Sequence, residues 1–314
     1  MGLLSRASIL LLASCTSDVA VDLAVIDGPR LLAVAATPAE GAPDAQVRLR
    51  ALWVDEHGAR PDDDLSWALC LVRRPLAELG PIADACIDDL DDTRMDLGRG
   101  TVAIATIPDD ACRLFGPDPP PAQPGMSQAR PVDPDRTGGY YQPLIVESRE
   151  EIAGFGVRID CGTAGATQQQ SAELRMRHRD NVSPYIGALA IAGATSTSSA
   201  ADRVVTVEAG AELELTAGWR ACAVDERCDG AERYPRFDPV SLEIVESREA
   251  LSLAWYATAG DFDTNRTGRS DRDEARTSAN VWTAPDEVGR VTLWIVIRDD
   301  RGGTSWRTIF VDVQ

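Results

Sequence analysis

The chain has no lysine. All 31 basic side chains among its 314 residues are arginines, which excludes Schiff-base chemistry and a lysine general base. Histidine is nearly absent, with only His57 and His178. His57 lies in an Asp-Glu-His-Gly turn and His178 in an arginine-rich polar stretch. Neither has a nucleophile or a metal partner close in sequence, so both read as solvated surface residues. There is no Gly-x-Ser-x-Gly, no His-Glu-x-x-His and no glycine loop of the kind that cradles phosphate. The cysteines lack the Cys-x-x-Cys spacing of zinc sites. The expectation is a protein that is not an enzyme, with no catalytic residue to name. A hydrolase built on two distant carboxylates leaves no local motif and stays open as an alternative. No apolar run reaches the ~20 residues needed to span a bilayer.

Acid dominates what is present. The net charge is −19, which repels nucleic acid phosphates and anionic lipid surfaces and argues against either as a partner. Apolar residues make up 44% and charged residues 26%, a globular composition. The length suits about two domains of ~150 residues each.

The first fifteen residues carry a localisation signal. Met1 to Arg6 form a short basic segment, and Ala7 to Ala13 (ASILLLA) form an apolar run too short to cross a membrane. Leu12, Ala13, Ser14 and Cys15 follow, which resembles the bacterial lipobox. That resemblance implies a signal peptide over 1–14, a diacylglycerol thioether on Cys15, cleavage before it, and a lipid bilayer as partner. Thr16, where an Asp tends to retain such proteins in the inner membrane, implies the outer membrane. Residues 15–26 then form a short lipidated tether.

Six cysteines remain: Cys70, Cys86, Cys112, Cys161, Cys222 and Cys228. An even number in an exported chain points to disulfides, and six cysteines allow 15 connectivities. Proximity suggests Cys222–Cys228, Cys86–Cys112 and Cys70–Cys161.

Many short segments alternate with period two and are separated by turn residues, the pattern of a β-sandwich. The two halves also match. Ala45, Val47, Leu49, Ala51 and Trp53 recur as Ala211, Leu213, Leu215, Ala217 and Trp219. Leu65 and Trp67 recur as Leu253 and Trp255, and Thr106, Pro108 and Asp109 as Thr283, Pro285 and Asp286. The expectation is two copies of one β domain. A further match, IVESRE at 145–150 and at 244–249, falls out of register with the others and has no structural account. A Trp early in the third strand resembles the core plug of immunoglobulin-like sandwiches. Leu293 to Ile297, the turn Arg298 to Gly303 and the return Trp306 to Val313 resemble the last hairpin of bacterial Ig-like or PKD-like domains.

The expected architecture is all-β: two immunoglobulin-like sandwiches in tandem, over 27–163 and 185–314. A polar connector, 164–184, joins them, with a helical segment in Thr167 to Arg179. The first domain carries an acidic insertion at Asp88 to Asp92 and a proline-rich one at 116–139, read as an extended loop. The first domain is expected to sit near the membrane and the second further out.

The resemblance implies a structural, adhesion or partner-binding module, with an envelope protein or a glycan as partner. A calcium- or glycan-binding surface protein is the alternative. Asp261, Asp263 and Asn265 place oxygens at alternate positions, as calcium loops do. Arg266 and Arg272 stand where an EF-hand has Gly and Glu, so an ordinary solvated loop remains open. The run Asp88 to Asp96 offers the same alternatives. The seven tryptophans raise the question of a glycan platform. Trp67 and Trp255 read as core, whereas the facing of Trp282, Trp294 and Trp306 is open.

Overall fold

A computed structural model of the chain describes residues 23–60, 65–75, 77–90, 92–118, 131–194, 196–197, 204–224 and 226–314. The first unit contains β1 (Arg30–Thr37), β2 (Glu40–Gly41), β3 (Gln46–Asp55), β4 (Gly58–Ala59), β5 (Ser66–Cys70), α1 (Asp84–Ile87), β6 (Arg94–Arg99), β7 (Val102–Thr106), α2 (Ala111–Phe115), β8 (Tyr140–Glu147) and β9 (Ile152–Ile159). The helix α3 (Gln168–Arg177) follows. The second unit contains β10 (Ala188–Ala192), β11 (Ser196–Thr197), β12 (Val204–Val207), β13 (Glu212–Gly218), β14 (Arg233–Asp238), β15 (Glu243–Arg248), β16 (Leu251–Ala257), β17 (Asp261–Phe262), β18 (Arg266–Arg269), β19 (Thr277–Thr283), β20 (Gly289–Asp299) and β21 (Thr304–Val313).

Each unit is a two-sheet sandwich, and the two have one strand order. In the first, β3 lies between β1 and β7, and the facing sheet runs β2-β9-β8-β5-β6. In the second, β13 lies between β10 and β19, and the facing sheet carries β12-β21-β20-β16-β18. Both place a short strand parallel to the last long strand, β2 on β9 and β12 on β21. This is the immunoglobulin-like arrangement, present twice.

The repeat extends to register. Gln46 pairs with Thr106, and the equivalent Glu212 pairs with Thr283. Ile107 N–H donates to Ala45 O as Ala284 N–H donates to Ala211 O. The turn before each strand also coincides: Asp44 has φ +66° and Gly210 has φ +70°. Trp67 and Trp255 are both buried, and their indole N–H groups donate to Gly100 O and Thr267 Oγ1. The repeated IVESRE occupies different places. In the first unit it ends β8, a central strand, and runs into the turn before β9, and in the second it covers most of β15, half of an inserted hairpin with β14.

The connector holds a three-turn helix with a capping box. Thr167 Oγ1 accepts from Gln170 N–H, and Gln170 Oε1 accepts from Thr167 N–H. Buried Leu174 anchors it, and α3 packs on β14.

The sandwiches pack directly against each other. Leu32, Ala33, Leu52 and Val54 of the first unit form one apolar cluster with Ala254, Trp294 and Val296 of the second. The strands involved are apolar on both faces. In β20, Leu293, Ile295 and Ile297 face their own core while Trp294 and Val296 face the other sandwich. Arg50 lies 4.3 Å over the Trp306 ring, and Arg298 donates to Leu32 O across the same junction.

Two expectations change. Residues 24–26 are folded onto the second sandwich rather than serving as free tether. Ala24 is in its core, Val25 bridges Ala257, and Ile26 lies in the junction. The chain therefore reaches the second sandwich before it enters the first, which removes the ground for expecting the first domain to lie nearer the N-terminal segment.

The disulfides pair Cys70 with Cys86, Cys112 with Cys161 and Cys222 with Cys228. The expected Cys70–Cys161 and Cys86–Cys112 bridges are not formed. Cys70 ends β5 in the buried pocket under α1, where Cys86 sits, so that bridge pins the acidic insertion to the sheet. Cys112 lies on α2, and its bridge to Cys161 pins that helix next to the end of β9.

The turn of the last hairpin, Asp299 to Gly303, packs inward: Asp299 and Arg301 are buried.

Candidate functional site

The buried turn is the centre of a charge cluster between the sandwiches. Arg301, 2% exposed, extends Nη2 to Glu40 Oε2 at 3.0 Å, and Nη1 to Glu249 Oε1 at 3.3 Å and Glu232 Oε2 at 3.5 Å. Nη2 also donates to Arg179 O at 3.0 Å, and the guanidinium lies 4.6 Å over the Tyr234 ring. One side chain thus joins β2 of the first sandwich, the connector, and both ends of the inserted β14–β15 hairpin.

The acids are held in turn. Glu232 accepts from Val182 N–H and Cys228 N–H, and Glu249 accepts from Glu232 N–H. Asp299 Oδ1 accepts from Arg301 N–H and Gly303 N–H, with Asn181 Nδ2 3.3 Å from both carboxylate oxygens. A second buried arginine, Arg158 on β9, places Nε 3.2 Å from Glu40 Oε1. It donates from Nη1 to Thr137 Oγ1 and to Tyr141 Oη, and Tyr141 donates to Asp135.

Two buried guanidiniums, Arg158 and Arg301, face four buried carboxyls, Glu40, Glu232, Glu249 and Asp299. Full ionisation would leave two uncompensated negative charges away from water. Burial opposes ionisation of Glu40, but Arg158, Arg301 and His178 outweigh it and lower its pKa. Burial raises Glu232. It raises Glu249 well above the usual range, with neighbouring Asp299 adding to the effect. Burial pushes Asp299 up to about 7 against the hydrogen bonds of Gly303 and the charge of Arg301. Burial, with more acids than arginines to pair them, favours the protonated forms of Glu232, Glu249 and Asp299.

Such an arrangement locks parts together. Its carboxylates and guanidiniums pair mostly with one another, which suits a structural role. None of Glu40, Glu232, Glu249, Asp299 and Arg301 stands out in the sequence, since each reads as one more surface charge.

The residues picked out from sequence lie elsewhere. Cys15 falls outside the described residues, as do 119–130 of the proline-rich insertion. Asp261, Asp263 and Asn265 lie along an exposed ribbon edge, anchored by buried Phe262 between the two aspartates. Within the acidic insertion, Asp89 pairs with Arg94 and Asp96 caps Gly98 N–H. His57 is exposed at a hairpin tip. His178 is half-buried beside Glu40, not the solvated residue expected.

Six of the seven tryptophans are buried: Trp53, Trp67, Trp219, Trp255, Trp282 and Trp294. Trp306 packs partly on the junction. None stands out as a platform for stacking a sugar.

No family model matches the sequence, and no curated protein matches it. Solved structures are similar at low scores. The D00-D0 domain of intimin is 9% identical, covering 86% of this chain and 94% of that one, with a TM-score of 0.23. The adhesin InvE of Yersinia pseudotuberculosis is 9% identical, covering 89% and 58%, with a TM-score of 0.23. A chimeric titin Z1Z2 is 10% identical, covering 92% and 98%, with a TM-score of 0.19. Scores this low carry no argument, and the immunoglobulin-like assignment stands on strand order and register.

Proposed function

We propose that this protein is a non-enzymatic, envelope-anchored lipoprotein whose two immunoglobulin-like sandwiches act as one partner-binding or adhesion module. The observation that carries the reading is the junction. A shared apolar cluster and a buried ion cluster hold the sandwiches as a single body, which suits holding a surface at a fixed geometry. Independent beads on a string would lack both. The lipobox at Leu12 to Cys15 supplies the anchor in this reading, with the outer membrane as its address.

The test has two arms. In cells, Cys15→Ser should move the protein from the membrane fraction to the soluble fraction after export, and retention in the membrane would refute the anchor. Cross-linking in intact envelopes, read by mass spectrometry, should recover one reproducible protein or glycan partner. Failure to recover any would remove the binding role.

A further inference from the structure

His178 is one of two histidines in the chain, and the fold places three carboxylates around one of its nitrogens. Nε2 lies 3.7 Å from Glu40 Oε1, 3.9 Å from Asp160 Oδ1 and 3.7 Å from Asp180 Oδ1. Nε2 is itself buried and makes no hydrogen bond. We propose that His178, Glu40 and Asp160 form a transition-metal site of zinc type at the seam of the two sandwiches, with Asp180 beside it.

Four features support this. First, the spacing fits an ion better than a hydrogen bond. A protonated imidazole would draw one carboxylate to about 2.8 Å. Here three oxygens stand off at nearly equal, longer distances. Ligands at 2.0–2.1 Å around tetrahedral zinc lie roughly 3.4 Å apart, so each oxygen needs to approach Nε2 by only a few tenths of an ångström. The ligating atoms of Glu40, Asp160 and His178 all lie within 4.8 Å of one another.

Second, the ligands are placed by the fold. Glu40 sits on β2, whose parallel pairing with β9 puts Asp160 beside it, and Asp160 N–H donates to Gly41 O. His178 ends α3, and its N–H donates to Leu174 O.

Third, Glu40 is oriented for the task. Asn181 N–H and Arg301 Nη2 both donate to Oε2, and Oε1 is the oxygen that faces His178. Arg158 Nε lies 3.2 Å from the same Oε1 without making a hydrogen bond.

Fourth, the donor set selects the metal. One imidazole nitrogen with carboxylate oxygens suits zinc and its transition-metal neighbours, whereas calcium prefers oxygen alone. A metal here would tie the connector to the first sandwich at the carboxylate that also holds Arg301 of the second.

The test uses the mature chain in detergent, stripped with chelator and titrated calorimetrically with zinc chloride, then with cobalt and calcium chlorides. Zinc should bind at one equivalent, and cobalt should develop the visible bands of a tetrahedral nitrogen–oxygen site. Calcium should give no such signal. His178→Ala should weaken zinc by at least the ~10–100-fold that loss of a mere supporting residue costs. Asp160→Asn should weaken it less, and His57→Ala should leave it unchanged. In the unaltered protein, the nitrogen-15 signals of the two imidazoles report independently of any variant, and zinc should shift that of His178 alone. No zinc binding, a His178 signal that zinc does not move, or full affinity in His178→Ala would each overturn the proposal.

Discussion

Glu40 and Arg301 are 261 positions apart in sequence and 3.0 Å apart in space. Glu40 belongs to a two-residue strand of the first sandwich, and Arg301 to the final hairpin turn of the second. Both are almost wholly removed from solvent. The contact makes the β20–β21 turn of the second sandwich a structural part of the first domain. It also places one cation among Glu40, Glu232 and Glu249, beside which Arg158 reaches Glu40 alone.

Replacing that cation should therefore be severe. Arg301→Leu leaves buried carboxylates without their partner, a change that typically costs about 3–5 kcal/mol. Urea unfolding should show the loss. Adding Glu40→Leu to it should cost less than the sum of the two single changes, because each single change leaves the other charge unpaired. A loss under about 1 kcal/mol for Arg301→Leu, or strict additivity, would show that the cluster does not work as a unit.

The excess of acid gives the fold a pH dependence opposite to the common one. Asp299 titrates at about 7 in the folded protein, against 3.8 for an ordinary aspartate. Between those values the folded state holds a proton that the unfolded chain has lost. The unfolded state then binds fewer protons, so stability falls as pH rises through this window and levels off above it. Glu249, raised by burial, acts in the same direction. Asp299→Asn mimics the protonated acid and keeps an acceptor for Arg301 N–H and Gly303 N–H. This variant should show a flatter denaturation midpoint from about pH 4 to pH 7, and a smaller deficit at pH 8. A pH profile that matches the unaltered protein would refute the assignment.

The sequence showed the repeat because each landmark is a local pattern. Val47, Leu49 and Ala51 alternate in one strand, and the same core-facing steps recur at Leu213, Leu215 and Ala217. The junction was partly legible too. Leu293 to Ile297 and Ala51 to Val54 are apolar without alternation, the mark of strands buried on both faces, but that pattern does not say what covers the second face. The ion cluster was not legible. Glu40, Arg158, Glu232, Glu249 and Arg301 come from separated segments, and a charged residue carries no local sign that it will be buried. The mistaken disulfides failed for a different reason. Cys70 is nearer to Cys86 in sequence than Cys112 is, and the α1 insertion folds back onto its own strand and brings Cys86 to Cys70.

Trp294 is where the junction can be tested apart from the charges. It is fully buried between the sandwiches, with Ala254, Val296, Leu32 and Leu52 in the same cluster. Trp294→Ala should cost about 3–5 kcal/mol, as large aromatic truncations do. Its side chain is not part of either sandwich's own core, so the loss should fall on the coupling between them. Calorimetry should resolve two unfolding transitions where the unaltered protein gives one, and small-angle scattering should show a larger radius of gyration. A single transition at a lower midpoint would mean that the junction is not the weak seam.

The disulfides should rank by the chain length they close. Cys112–Cys161 spans 49 residues and Cys222–Cys228 spans 6. Loop-closure entropy removed from the unfolded chain is worth about 4 kcal/mol for the longer loop and about 2 kcal/mol for the shorter. Position points the same way. Cys112 sits on α2, where buried Ala111 and Phe115 pack into the first core, so losing the bridge also loosens those contacts. Cys222–Cys228 closes a small loop, though Cys228 N–H holds Glu232 and so touches the ion cluster. Paired Cys→Ala variants, unfolded in urea without reductant, should lose about twice as much stability at 112/161 as at 222/228. If the 222/228 variant proves the more damaged, the short loop matters chiefly as a brace for Glu232. Its deficit should then shrink in an Arg301→Leu background, where the cluster is already broken.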